Sequence, residues 1–470
     1  MIATAPPFVP STNSGQALRF SKDERRVFQQ NHRLNVATDN EISRRRGSRK
    51  SRGATIGSAA PNQRAISLLA LGLLIAGCAA LFSASLSYSA EPDLKPGDTI
   101  GPQNWERVKG MVGENLLNRI KRGYSFQIKN DRSIGPPREF VAATAKYAGT
   151  VKLGPKGELL NYAAGQPFAN VESSDPQAGL KMAWNFYWRW IGDDYKTGGG
   201  TGQGKIIRYA IERDGSERRA DVLHHSIKTR GRVSLSADVV LPGYEHIDWM
   251  QLRADEYPRD TSGTTTLEIR YASPDREDDL YIYVPSIRRV RRAPPIQRCA
   301  TIAPSEFNFD DINSFGGKIT DFNYRLQGRF KMLGNFGQDQ IPFARRPGDY
   351  LPSRESWSVV DTYALEITPK DRNYCYPKKV IYIDPVNYEA LWTMIWDGSG
   401  SYWKEQFAFR SPVKLPDGQE VLSVGAVVIA NLKNGRSTLV DAVRVYNQGY
   451  QPSLFTLATL QTVMRGGTIR

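Results

Sequence analysis

Four arginines in five residues, Arg288, Arg289, Arg291 and Arg292, are the densest group of like charges in the folded part of this 470-residue chain. A planar guanidinium pairs two-pronged with carboxylate or phosphate, so this cluster could meet lipid phosphates or an acidic partner. It could equally stiffen a sheet edge by pairing with Asp310, Asp311 or other carboxylates. On an extended segment Arg289 and Arg291 share one face, so at most two of the four aim the same way. The other chemistry-bearing residues point away from catalysis. His224 and His225 are adjacent, which on a strand sends them to opposite faces and prevents easy chelation of one ion. With His246 they are the only histidines after residue 90, and neither a Cys-x-x-Cys nor a His-Glu-x-x-His arrangement is present. No Gly-x-Ser-x-Gly elbow occurs. The carboxylate pairs Asp193-Asp194 and Asp278-Asp279 read as solvated turns. Gly199 to Lys205 imitates a phosphate-binding loop, but Ile206 replaces the metal-binding Ser/Thr and a strand follows where a helix is required, so it reads as a linker. We expect no catalytic residues, no metal, no cofactor and no enzyme.

The elements around these residues are mostly strands. Leu280, Ile282 and Val284 alternate with Tyr281 and Tyr283, and Pro285 ends the ladder. Thr264–Tyr271 is expected to pair with that strand, and Tyr363–Ile367, Val380–Ile383 and the segments flanking Asp397-Gly398 continue the pattern. Two helices precede the strands. One runs from an Asn104 cap through Trp105, Val108, Val112, Leu116 and Ile120 to Gly123. The other starts at Pro176 and carries Leu180, Ala183, Trp184, Tyr187, Trp188 and Ile191 on one side. A face this aromatic serves either as core or as the wall of an apolar cavity.

The N-terminal 90 residues have a different character. Twelve Lys/Arg against four Asp/Glu place +8 of the formal +15 charge there, leaving an ordinary +7 for residues 91–470. Nucleic-acid binding is therefore not expected. Residues 1–64 read as a disordered basic leader, upstream of the true start if an early codon was chosen. Residues 65–90 carry no charge and follow Arg64, the layout of a signal peptide. An uncleaved anchor from Ala65 to Phe82 is the alternative. Cleavage before Glu91 competes with lipidation of Cys78 in Ile75-Ala76-Gly77-Cys78. Either route delivers the chain to an oxidising compartment, where Cys299 and Cys375 form a bridge or stay as two buried thiols. Residues 91–470 are expected to fold as one large domain, for which 40% hydrophobic and 10% aromatic residues are ample.

Several ordered blocks carry a resemblance: YVPSIRRVRR, FNFDDINSFGGKITDFNYRLQG, WSVVDTYALEITP, KKVIYIDPVNYEALWTMIWDGSGSYWK, AGLKMAWNFYWRW and GDTIGPQNWERVKGMVGENLLNRIKRGYSF. Over residues 95–470 the chain resembles a bacterial envelope family described as outer-membrane-lipoprotein-sorting-like. The resemblance implies an α+β fold like the LolA and LolB carriers: a strongly curved antiparallel sheet, an open half-barrel, closed by helices over an apolar cavity. It implies a carrier for a lipid, a lipoprotein acyl chain or another hydrophobic ligand, in the periplasm or on the periplasmic face of the outer membrane of a Gram-negative bacterium. A non-catalytic accessory or scaffolding protein for an envelope transporter is the alternative. On this reading the candidate ligand-binding residues, at the cavity wall or rim, are Trp184, Trp188, Tyr281, Tyr283, Arg289 and Arg291.

Overall fold

The computed structural model describes residues 93–462, apart from 131, 199–203, 236–237, 338–343 and 354–355. The basic leader, the apolar segment and Cys78 lie outside the described residues, as does most of the glycine-rich stretch.

Two antiparallel meanders form the spine of a 17-stranded sheet. The first runs β1 (Ile206–Ile211), β2 (Glu217–Lys228), β3 (Ile247–Tyr257), β4 (Thr265–Tyr271), β5 (Asp279–Val284) and β6 (Arg289–Arg292), each paired with the next. The second runs β7 (Phe322–Gly334), β8 (Ser356–Pro369), β9 (Lys378–Ile383), β10 (Ala390–Trp396), β11 (Tyr402–Lys414), β12 (Glu420–Asn431) and β13 (Ser437–Asp441). Antiparallel pairing of β13 with β1, Val440 opposite Arg208, joins the two halves. The end strands β6 and β7 do not pair with each other among the described residues, so the sheet stays open.

Alternation along each strand divides the faces. On β11, Phe407 and Phe409 enter a core with Trp357, Trp392 and Val428, and Gln406, Ala408 and Arg410 take the other face. Helix α1 (Glu114–Lys121) seats Leu116 and Ile120 on that core. Helix α2 (Ala178–Tyr187) lays Met182, Ala183 and Phe186 against Phe322, Leu365 and Ile381 of β7–β9. Register shifts at Asp221/Val222, Tyr382/Ile383, Ile395/Trp396 and Phe409/Arg410 bend the sheet along its length.

The continuous helix expected over residues 105–120 is broken. Trp105–Val108 makes a single tight turn, Gly110 adopts a left-handed φ of 83°, and α1 restarts at Glu114. The cap that restarts it comes from β11. The carboxylate of Glu405 accepts the N–H groups of Asn115 (2.8 Å) and Leu116 (3.0 Å), and a Cβ at Gly113 would collide with it. Burial, against those hydrogen bonds, pushes the Glu405 carboxyl up to about 7 from an ordinary 4.5. A raised folded-state value means that protonated Glu405 favours the fold below pH 4.5, and that this stabilisation is lost as pH rises through 7. Glu405→Gln is therefore expected to flatten the pH dependence of unfolding free energy across this window by roughly 2–3 kcal/mol. Urea titrations at several pH values measure the effect, and parallel curves for the two proteins would contradict it.

Candidate functional site

Laid flat, eight inter-strand steps would separate β5 from β10 by roughly 38 Å. Yet Ile282 of β5 and Ala390 at the start of β10 line one cavity of about 350 Å³, so the sheet curls round it. A cross-strand row, Ala408, Val427, Val440 and Arg208, forms the centre of the wall. Ile206, Val222 and Val424 add further apolar surface. The register shift opposite Arg410 changes the parity of β12, which lets Val427 and Val424 both face inward while Ala426 and Val428 face the core.

The cover is a segment rather than a helix bundle. Residues 301–314 contribute Ile302, Phe307, Phe309 and Ile312 to the cavity. They are held by a short 3-10 turn, Phe309–Asp311, closed by reciprocal hydrogen bonds between Asn308 and Asp311. Asp310 accepts from Arg298 Nε (2.6 Å) and the Tyr374 hydroxyl (2.7 Å). Asp311 accepts from Lys379 Nζ (2.8 Å), the Tyr376 hydroxyl (2.8 Å) and the Asn308 N–H (3.0 Å). Burial, reinforced by the two aspartates, pushes both phenols up, so they stay protonated and donate. Lys404 Nζ donates to the Glu306 carbonyl (2.7 Å), and the Glu306 N–H donates to Thr438 Oγ1 (2.8 Å). A Cys299–Cys375 disulfide, Cα atoms 5.7 Å apart, ties the approach to the cover to the loop bearing Tyr374 and Tyr376.

At the end of the wall carrying Arg410, the lining turns polar. Glu389 faces three guanidiniums: Arg189 Nε at 3.2 Å, Arg410 Nη1 at 3.6 Å and Arg444 Nη1 at 3.8 Å. Arg189, foremost among them, offsets the burial penalty and holds the Glu389 carboxyl down at about 2. Arg444 Nη2 donates to Asn313 Oδ1 of the cover, and Arg410 Nη2 donates to the Ala390 carbonyl. His224 also lines the cavity, with Nδ1 2.9 Å from Thr197 Oγ1. Burial, with Arg253 and other cations nearby, lowers its pKa well below the ordinary value and keeps the ring neutral. His225 points the other way, to the Tyr450 hydroxyl at 2.8 Å, as adjacent strand residues must. Among the described residues no group of three or more His, Cys, Asp or Glu is placed to hold a metal, and no helix is long and apolar enough to cross a membrane.

None of the six expected ligand-binding residues lines this cavity. Trp184 and Trp188 sit in the core between α2 and the second meander. Trp184 Nε1 donates to the Gly157 carbonyl, and the Trp188 ring lies 4.4 Å from that of Tyr162. Trp188 borders a cavity of about 50 Å³. Tyr281 and Tyr283 pack on the outer face, against the core of Met250, Leu252, Leu267 and Phe455, and it is Ile282 between them that faces in. Arg289 and Arg291, opposite Val284 and Ile282, share the cavity-side face but are exposed on the terminal strand. Arg292 pairs with Asp279 at 2.6 Å. Asp310 and Asp311 take Arg298 and Lys379 instead of the cluster. Glu389, Arg410 and Arg444 went unremarked in the sequence, although Arg410 and Arg444 each interrupt an apolar strand (FAFRSPV, VRV), which is the signal that marks them.

No curated protein matches the sequence. Among solved structures, a Vibrio parahaemolyticus domain described as outer-membrane-lipoprotein-sorting aligns at 18% identity and a TM-score of 0.44, covering 61% of this chain and 100% of that one. A DUF1329 family protein from Desulfovibrio piger aligns at 19% identity and a TM-score of 0.45, again covering 61% and 100%. A LolA superfamily protein from Nitrosomonas europaea aligns at 15% identity and a TM-score of 0.36, covering 58% and 93%. The family model described as "Protein of unknown function (DUF1329)" matches residues 99–461, and this chain belongs to that family.

Proposed function

We infer that the protein binds and carries a hydrophobic ligand, without catalysis, in the bacterial envelope. The observation that carries this reading is the apolar cavity of about 350 Å³ between the curled sheet and the 301–314 cover. Its size falls within the roughly 300–1,000 Å³ of small-molecule pockets. Enclosing a chain removes a penalty of about 0.8 kcal/mol for each methylene exposed to water, which is the physical need a carrier meets. The disulfide and the uncharged segment 65–90 after Arg64 support an envelope location, periplasmic or at the periplasmic face of the outer membrane. The wall and cover named above take the place of Trp184, Trp188, Tyr281 and Tyr283 in this reading, and Arg289 and Arg291 lie outside it.

Filling the cavity tests the proposal. Ala408 projects from the central row into the open space. Ala408→Trp is expected to weaken uptake of a fluorescent long-chain fatty acid by roughly tenfold or more, with an unchanged or raised melting temperature. Undiminished uptake by a folded Ala408→Trp protein would remove the cavity from the function.

A further inference from the structure

The polar end of the cavity carries a cationic excess. Three guanidiniums, Arg189, Arg410 and Arg444, share the single carboxylate of Glu389. Arg410 is 1% exposed and Arg444 6% exposed, so water does not screen them. Nearby carboxylates are committed elsewhere. Asp384 accepts from Ser133 Oγ (2.5 Å) and the Val386 N–H (3.2 Å), and burial pushes its carboxyl up. Asp193 accepts the N–H groups of Val233, Ser234 and Leu235. Asp194 accepts those of Gln448 and Tyr450. Arg232, buried beside the cluster, adds to the positive side, while burial and the neighbouring guanidiniums lower Lys228 to about 7.

Hydrogen bonding is incomplete in the same place. Arg410 Nε has no hydrogen-bond partner, and the Arg444 Nη1 contact with Glu389, at 3.8 Å, is beyond hydrogen-bond length, although the Arg444 guanidinium also meets Tyr446 and lies over the Tyr195 ring. Buried charged donors left unsatisfied cost free energy that an anion placed among them would restore. From Arg410, the row through Ala408, Val427 and Val440 runs away as apolar wall. One end of the space therefore suits a small planar anion, and the apolar row suits a hydrocarbon tail as far as Arg208, which with Asp255 lines the cavity beyond Val440.

We propose that the ligand is an amphiphile with a single carboxylate head, the head seated at Arg410 and Arg444 and the tail lying along the β11–β13 wall. This rests on the carrier reading above and adds the chemical class of its cargo. A guanidinium fork matches a carboxylate two-pronged, so the site distinguishes an acid from an alcohol or ester with the same tail.

The experiment displaces a neutral fluorescent probe, N-phenyl-1-naphthylamine, from the purified protein with palmitate, hexadecanol, methyl palmitate and acetate. The expected result is that palmitate displaces the probe at concentrations roughly tenfold or more below those of hexadecanol and methyl palmitate, and that acetate displaces none. In Arg410→Gln and Arg444→Gln the ratio of palmitate to hexadecanol affinity falls toward one, with circular dichroism melting to verify folding. Equal affinity for palmitate and hexadecanol in the unsubstituted protein, a comparison that needs no variant, overturns the head-group assignment and leaves the carrier standing. Displacement by acetate as strong as by palmitate overturns the amphiphile. Failure of every long-chain compound to bind overturns the carrier reading as well.

Discussion

Asp311→Ala is expected to destabilise the protein by about 3–5 kcal/mol, because it strands a buried charge. Asp311 is 0% exposed and Lys379 is 2% exposed, and their 2.8 Å pair lies directly beneath the cavity cover. Without the carboxylate, the Lys379 ammonium keeps only the Asp310 carbonyl at 3.1 Å, and the Tyr376 hydroxyl and Asn308 N–H lose their acceptor. The penalty comes from the orphaned partner more than from the lost attraction. The double replacement Asp311→Leu with Lys379→Met should therefore cost less than Asp311→Ala alone. Urea unfolding of the unsubstituted protein, Asp311→Ala and the double variant measures this, and a double variant as unstable as Asp311→Ala would contradict it. In both variants Phe307, Phe309 and Ile312 lose the anchor that holds them over the cavity, so probe exchange should become faster.

Replacing both Cys299 and Cys375 with serine is the second large effect. The bridge closes a loop of sequence separation 76. Chain-entropy arithmetic for a loop of that length gives about 4.5 kcal/mol, and native disulfides typically contribute 2–5 kcal/mol. The expected loss is about 4 kcal/mol in unfolding free energy, and the unsubstituted protein treated with reductant should lose as much. A change under about 1 kcal/mol would mean that the hydrogen bonds of Asp310 and Asp311 position the cover unaided.

Much of the sheet was legible because alternation is a local property. Leu280, Ile282 and Val284 announce a strand, and pairing with Thr265–Tyr271 follows from the short charged turn between them. What alternation leaves undecided is which face of a strand apolar on both sides meets the cavity. The bulky Tyr281 and Tyr283 went to a filled core and the smaller Ile282 to the open space. The same preference explains α2: Trp184 and Trp188 bury more surface against Phe322 and Leu365 than they would facing a void. The break between Val108 and Glu114 depends on a carboxylate 290 residues from Asn115, beyond any local pattern. The parity change beside Arg410 is likewise a register shift, which reverses inward and outward without altering composition. The acidic aromatic segment after the arginine cluster was visible as a feature. Its role as a cover emerges only with Arg298, Lys379, Tyr374 and Tyr376 around it.

Ala408, Val427 and Val440 wall a space that, on the carrier reading, takes up a long-chain molecule. Native mass spectrometry of the purified protein incubated with palmitate tests it most directly. A one-to-one palmitate adduct is expected in the unsubstituted protein and its disappearance in Ala408→Trp, while the charge-state distribution of the folded protein is retained. Equal adducts in both proteins, or none in either, would contradict it.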